Sequence, residues 1–564
     1  MEKREKKVIT CLLIMAGVLV SLPLFSNTVF SSQVMTHDTF FHTQRIWSIK
    51  NALAEGQFPV RIYSEIFDGY GYGSPLYYPD LFLYLPAILC LLGAPLAVSY
   101  NIFLILVNFA TLAISYYSYS RIAKSRVIGI AAAVLYSLST YRLLDLYTRG
   151  AVGELLALTF CPLALCGLTF MKRGEYHKWW ILALAYTGLL QSHILSFVMM
   201  AGTAVLYALF HCKSFLKTKS ILGIVKAGGL WLLLNVWFLL PFLQEMQLHG
   251  VWGNASFWQT GATFTQLFDV LLLSVTGTEP FGGAIKESIP KTPGVLLIIG
   301  AILLIFSLIL YGDEIKEEKK RVLGCLIPGV LALIMVTNLF PWQIIQQIPG
   351  VRGLLTKFQF IWRFNILGIL FLSLAAAYGF YYFFIKAAAD KQRALILVCM
   401  TAGMFALIFI NQFVKQGIQY SNEEVLQNGY MDSLYLPFGF AYIEEGDIES
   451  NSENVECSDV TYDYGSFSCD LTYTDADGSE DGIYVDVPLA YYSGYKAYLN
   501  EEELDTVCGA KGLVRLYLPT GCEGGHLVVF YEDSGVAKAA NIVSLLAWVG
   551  LFLGVVLQRR KGRA

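Results

Sequence analysis

The sequence predicts a polytopic α-helical membrane protein with a C-terminal extracytoplasmic β-sandwich, and three observations carry that expectation. The chain of 564 residues is 56% hydrophobic and 15% charged, with a mean hydropathy of +0.55, too apolar for a soluble protein of this size. Its apolar residues fall into runs long enough to cross the bilayer hydrocarbon, which takes roughly 20 helical residues. Its lysines and arginines collect between alternate runs, and beyond residue 414 the pattern turns polar with period-two alternation.

Twelve segments serve as spans: residues 8–26, 96–120, 127–142, 151–171, 179–193, 194–211, 221–241, 294–311, 322–339, 361–385, 394–413 and 539–557. Cytoplasmic loops keep positive charge. With the N-terminus inside, segments 1–7, 121–126, 172–178, 212–219, 312–321, 386–393 and 558–564 hold 24 of the 40 basic residues. Both termini are therefore expected in the cytoplasm. The same count makes residues 81–92 an interfacial or re-entrant helix, because a full span there would put Arg121, Lys124 and Arg126 outside. The first outer loop then covers 27–95. The N-terminal run follows Lys3, Arg4, Lys6 and Lys7 with no small-residue cleavage site after it, which fits a retained anchor. The chain divides into a transmembrane domain over 1–413, an outer β-domain over 414–538, and a last helix with a basic tail over 539–564.

The first outer loop opens on Thr36-His37-Asp38-Thr39-Phe40-Phe41-His42-Thr43-Gln44-Arg45. An aspartate between two histidines, just past a helix end, sets an acid/base or metal-ligating group at head-group level. Asp38 is the candidate catalytic residue. His37 and His42 either hold a divalent cation with it or hydrogen-bond it. The plainer alternative is that Asp38 caps the helix expected to follow, since Asp is a favoured cap. In that helix Phe41, Ile46, Ile49 and Leu53 share one side while Arg45 and Lys50 lie elsewhere, the pattern of an amphipathic helix on a membrane surface. Gly69, Gly71 and Gly73 then break any helix and imply a turn-rich loop. It ends on Tyr77, Tyr78 and Asp80, candidate sugar contacts with Arg45; interfacial anchoring is the alternative for the tyrosines.

The second outer loop carries Asp145, Arg149 and Glu154 at the lip of an apolar helix, where charges are costly unless paired or wet. Either Arg149 pairs with Glu154, or Arg149 meets a phosphate while Glu154 shapes the site. His193, in Gln191-Ser192-His193, falls on the same side and reads as a cap or as a substrate contact. Further on, Arg352, Lys357 and Arg363 cluster at a helix entrance with Gln359 among them. Positive charge outside runs against the orientation rule. A lipid phosphate would account for it, because guanidinium forks match phosphate oxygens.

In the outer β-domain, Ile483-Tyr484-Val485-Asp486-Val487, residues 513–518 and residues 526–531 alternate as short strands between turn residues. Residues 421–535 hold 24 acidic and 3 basic residues, which reads as a solvated acidic face. Cys457, Cys469, Cys508 and Cys522 lie in this domain and permit disulfides; local pairing of the first two and of the last two is expected. The other seven cysteines lie in or beside apolar segments without metal-site spacing.

His37-Asp38-Thr39-Phe40-Phe41-His42, residues 73–79, Arg149-Gly150-Ala151-Val152-Gly153-Glu154 and residues 359–363 together resemble the bacterial membrane proteins of the GT-C glycosyltransferase class, in particular the 6-pyruvoyl-tetrahydropterin-synthase-related membrane proteins. Residues 487–500 and 512–519 resemble the YfhO-like proteins of that class. Ile361 departs from the related segment, where proline more often precedes Trp-Arg. The resemblance implies a GT-C-like fold, an acidic catalytic residue in the first outer loop at Asp38, and a bacterial plasma membrane location. It also implies a polyprenyl-phosphate sugar donor, surrounding membrane lipid, and an acceptor that is an extracytoplasmic glycan or lipid of the cell envelope. No Gly-rich nucleotide loop and no basic nucleic-acid pattern is present in the sequence. A transporter or flippase of lipid-linked glycan, and a non-catalytic envelope-assembly protein, are the rival functions. Transporters tend to show inverted repeats and charges near the bilayer midplane, and no internal repeat is evident.

Overall fold

The computed structural model describes residues 2–29, 33–34, 36–248, 292–313, 315–337, 339–345, 347–350, 360–416, 419–420, 431–444, 446–473, 482–520 and 523–561. Among them, eight helices are long and apolar enough to cross a membrane: Lys3–Ser26, Leu96–Ala123, Arg126–Arg149, Val152–Arg173, Thr218–Gln247, Ile361–Ile385, Lys391–Val414 and Gly535–Gly554. The other four expected segments are helical but shorter, as Trp179–Leu190, Ile194–Phe210, Val295–Leu310 and Lys319–Met335. Residues 81–92 also form a short apolar helix, Leu81–Leu91.

The chain folds as two compact units, one of Met1–Thr43, Ala94–Gly228 and Ser256–Asn428, the other of Gln44–Gly93, Gly229–Ala255 and Gly429–Ala564. The first unit is helical. Leu96–Ala123 packs against Arg126–Ser137, Val152–Arg173 and the N-terminal helix, while Asn365–Phe380 packs against Val295–Leu310 and Lys319–Met335. Small residues let these backbones approach, as expected where lipid supplies no hydrophobic drive between helices. A side chain on Gly379 would fall 2.0 Å from the carbonyl oxygen of Gly300, so a methyl there would push two helices apart. One two-residue ribbon, β1 (Gln33–Val34) antiparallel to β2 (Gln419–Tyr420), also belongs to this unit.

The second unit contains two antiparallel sheets. Strands β3 (Glu449–Ser450), β6 (Tyr484–Ala490), β10 (Leu513–Tyr517) and β9 (Thr506–Cys508) form one in that order, and β4 (Val455–Asp463), β5 (Ser466–Tyr473), β11 (Gly524–Tyr531), β7 (Tyr495–Leu499) and β8 (Glu502–Leu504) form the other. Alternate residues point inward: Phe467, Cys469 and Leu471 on β5, Leu527 and Val529 on β11, and Val485, Val487 and Leu489 on β6 are all buried. Asp486 is also buried and takes a two-pronged ion pair from Arg515, whose Nε and Nη2 donate at 2.7 and 2.8 Å. Cys457, Cys469 and Cys508 are free thiols, so the expected Cys457–Cys469 bridge is not formed; Cys522 lies outside the described residues.

Candidate functional site

The first cluster is built by an irregular end of one helix. Arg126–Ser137 starts on a cap from the Ser125 side chain, is interrupted at Leu138 and Ser139, resumes as Thr140–Leu144, and widens into a π turn over Asp145–Arg149. Such turns insert an extra residue into the helical ladder and recur at functional sites. Gly150 ends it at φ +64°, and a side chain there would fall 1.9 Å from Thr36 Oγ1. The next helix begins at Val152 and carries Glu154 in its first turn. Arg149 Nη1 therefore reaches Asp145 Oδ1 at 2.6 Å and Glu154 Oε2 at 3.2 Å. Arg363, on the 3₁₀ turn Ile361–Phe364, donates from Nε to the same Oε2 at 3.3 Å, and the Tyr141 hydroxyl donates to Glu154 Oε1. All five side chains are buried.

Asp38 is tied to this cluster through backbone. The N–H groups of His37 and Asp38 donate to the carbonyls of Thr148 and Arg149 at 3.1 and 2.9 Å, and the close approach explains why position 150 is glycine. Asp38 immediately precedes the helix Thr39–Ala54 and its carbonyl accepts from His42, so it occupies the cap position. It is half-buried, and its charge acts electrostatically on Arg149 and on Tyr100. The metal alternative fails on geometry. His37 is exposed before the helix starts while His42 is buried one turn inside it, and no group of three or more acidic, His or Cys side chains among the described residues is placed to hold an ion. His193 caps Ile194–Phe210. Its Nδ1 accepts the N–H of Ser196 at 3.3 Å and lies 2.8 Å from the Ser196 hydroxyl, which puts the proton of the neutral ring on Nε2. His193 also feels Glu154, Arg149 and Arg363 electrostatically, so capping and membership of the cluster coexist.

Arg142 was not among the expected site residues. A lone arginine closing an apolar run reads as a span end, yet Arg142 is wholly buried, donating to Asn108 Oδ1 at 2.7 Å, Thr111 Oγ1 at 3.3 Å and the Ser137 carbonyl at 3.2 Å. Asn108 continues to Ser21 at 3.0 Å, and Thr111 to Thr159 at 2.7 Å. This polar chain runs inside the first unit from helix to helix.

Four expected site residues, Arg45, Tyr77, Tyr78 and Asp80, belong to the second unit and form a different kind of cluster. Arg45 is buried, not on the wet side of a surface helix as the amphipathic reading required. Its Nη2 donates to Asp80 and to the Pro79 and Tyr78 carbonyls, the latter two at 3.0 and 3.4 Å, and its guanidinium lies 4.3 Å from the Tyr78 ring centroid. The Tyr63 hydroxyl donates to the other Asp80 oxygen. Burial pushes the Asp80 carboxyl above the usual carboxylate range, with Arg45 and Tyr63 pulling the other way. The tyrosines are packed against protein. Tyr77 and Tyr78 stack on Tyr435 at 5.8 and 6.3 Å, and a side chain on Gly73 would strike the Tyr492 ring at 2.4 Å. Glu245, also unforeseen, accepts from Ser493 through its N–H at 2.9 Å and its hydroxyl, and from Tyr77 at 3.5 Å. The run 221–241 was expected to end before it, whereas the helix continues as Thr218–Leu248. Arg352 and Gln359 lie outside the described residues.

The chain matches no protein-family profile. It is 21% identical over 601 residues to an uncharacterized protein of Lactococcus lactis subsp. cremoris, covering 95% of this chain and 93% of that protein. Among solved structures it is similar to the cryo-EM structure of the arabinofuranosyltransferase AftD from Mycobacteria, with a TM-score of 0.44 and 16% identity over 73% of this chain. The match spans 27% of AftD, and a superposition this loose transfers neither fold nor activity.

Proposed function

We propose that this chain is a membrane glycosyltransferase of the GT-C kind, moving a sugar from a polyprenyl-phosphate donor to a glycan or lipid acceptor outside the cytoplasm. The observation that supports it best is the pairing of a half-exposed carboxylate, Asp38, with a buried cluster holding two arginines, through two backbone hydrogen bonds to Thr148 and Arg149. In the reaction the acceptor hydroxyl gives its proton to Asp38 as its oxygen bonds to the anomeric carbon. The bond from that carbon to the phosphate oxygen breaks, and the polyprenyl phosphate leaves with its added charge facing Arg149 and Arg363. General base catalysis of this type contributes roughly 10²–10⁴-fold. Mass spectrometry of envelope glycans from cells with and without the protein, and with the Asp38→Asn variant, tests the reading; an identical glycan profile in all three sinks it.

One observation favours the rival reading of a transporter for lipid-linked glycan. Arg142 and its partners Asn108, Thr111 and Ser21 place a charge and a polar chain within membrane-spanning segments, where ionisable groups commonly mark transport paths. Lipid-linked glycan that changes leaflet in reconstituted vesicles without any sugar transfer would decide for that rival.

A further inference from the structure

We propose that Glu154 is a built-in substitute for phosphate: its carboxylate fills the anion position between Arg149 and Arg363 and is displaced when a singly charged phosphate group binds there. This rests on the reading above insofar as the phosphate is that of the lipid donor. One oxygen, Oε2, accepts from two guanidinium groups, at 3.2 Å from Arg149 and 3.3 Å from Arg363. Both contacts are longer than the roughly 2.7–2.9 Å of a firm charge-assisted bond. Asp145 lies 2.6 Å from the same Arg149 nitrogen, so Asp145 is the firm partner of Arg149 and Glu154 the loose one.

The charges lead to the same assignment. Two arginines balance Asp145 and Glu154, and adding a phosphate without moving either carboxylate would leave three anions against two cations in a buried site, a costly arrangement. Glu154 can give way because Tyr141 holds its other oxygen, so the side chain keeps a partner after releasing both arginines. Asp145 can take up the slack. Its Oδ2 is buried without a hydrogen-bond partner, an acceptor ready for a second prong from Arg149. The cluster thus has two arrangements, one closed on Glu154 and one open to an anion.

The test measures binding of inorganic phosphate and of a short-chain polyprenyl monophosphate to the purified full-length protein, as wild type, Glu154→Gln and Glu154→Asp. Removing the internal competitor should tighten binding of both probes by at least about 10-fold in the Gln variant, the lower end expected for one charge-assisted contact. The Asp variant keeps the charge but draws it back by one methylene; it should tighten binding less, and it serves if the Gln variant does not fold. Unchanged or weaker binding of both probes in a folded variant overturns the proposal. Inorganic phosphate binding that tightens while polyprenyl phosphate binds no form of the protein supports the stand-in and overturns the lipid-donor reading. Polyprenyl phosphate that binds wild type and variants equally overturns the stand-in and leaves the donor reading in place.

Discussion

Two buried ion clusters, one in each unit, are made from the same chemistry and finished differently. Around Arg45, one carboxylate, two carbonyls and an aromatic face converge on a single guanidinium, and both oxygens of Asp80 are engaged by Arg45 and Tyr63. Around Glu154, two arginines share one carboxylate oxygen at long range, a second carboxylate keeps an unpartnered oxygen, and a half-exposed aspartate adjoins them. A buried pair whose partners all match holds a fold together. A cluster with loose contacts and spare acceptors is equipped to exchange partners, and that is the arrangement a charged substrate requires.

Substitutions separate the two kinds, beginning with the largest effect. Asp38→Asn keeps size and capping ability, so the protein should insert normally while sugar transfer falls by at least about 10²-fold; near-normal transfer in a membrane assay would remove Asp38 from the chemistry. Arg45→Ala leaves Asp80 buried without its cation and should cost about 3–5 kcal/mol of stability. Thermal unfolding of the full-length protein checks this, and an unshifted curve would show that the closed cluster is not structural. Arg363→Ala removes one contact to the phosphate and should weaken donor binding by roughly 10- to 150-fold, with a smaller change in unfolding than Arg45→Ala gives. If the unfolding shift equals that of Arg45→Ala and donor affinity is unchanged, the contrast between the clusters collapses. His193→Ala should cost about 1 kcal/mol through the lost cap, and His193→Asn should restore it. A loss of transfer in both variants would instead place the imidazole among the substrate contacts.

Much of this was legible along the chain because membrane spans are written in local composition. All twelve expected segments are helical, and the four that fall short of a full crossing are short as helices. The cluster at Arg149 was also within reach, since Asp145, Arg149 and Glu154 lie within ten positions of one another. What sequence spacing could not show was partnership at a distance. Arg45 looked like a water-facing residue on an amphipathic helix because its acidic partner, Asp80, lies 35 positions later. Tyr72 and Tyr77 looked like interfacial or sugar-facing tyrosines because Asp432 and Tyr435, which they meet, follow some 360 residues on. Arg142 was hidden for another reason: a charge at the end of an apolar run reads as the edge of the membrane, and only the asparagine and threonine of neighbouring helices show it to be interior.

The π turn over Asp145–Arg149 has a bearing on how this helix tolerates change in length. Successive residues of an α-helix are rotated by about 100°. Deleting any one residue of the turn would restore an ordinary helical ladder at little local cost, yet it would swing every later side chain by that angle. Arg149 would turn away from Glu154, and Gly150 would no longer face Thr36. The segment therefore behaves as a phase-setting insert: substitutions along it act one at a time, whereas a loss of a single residue would dismantle the whole constellation while leaving the helix intact.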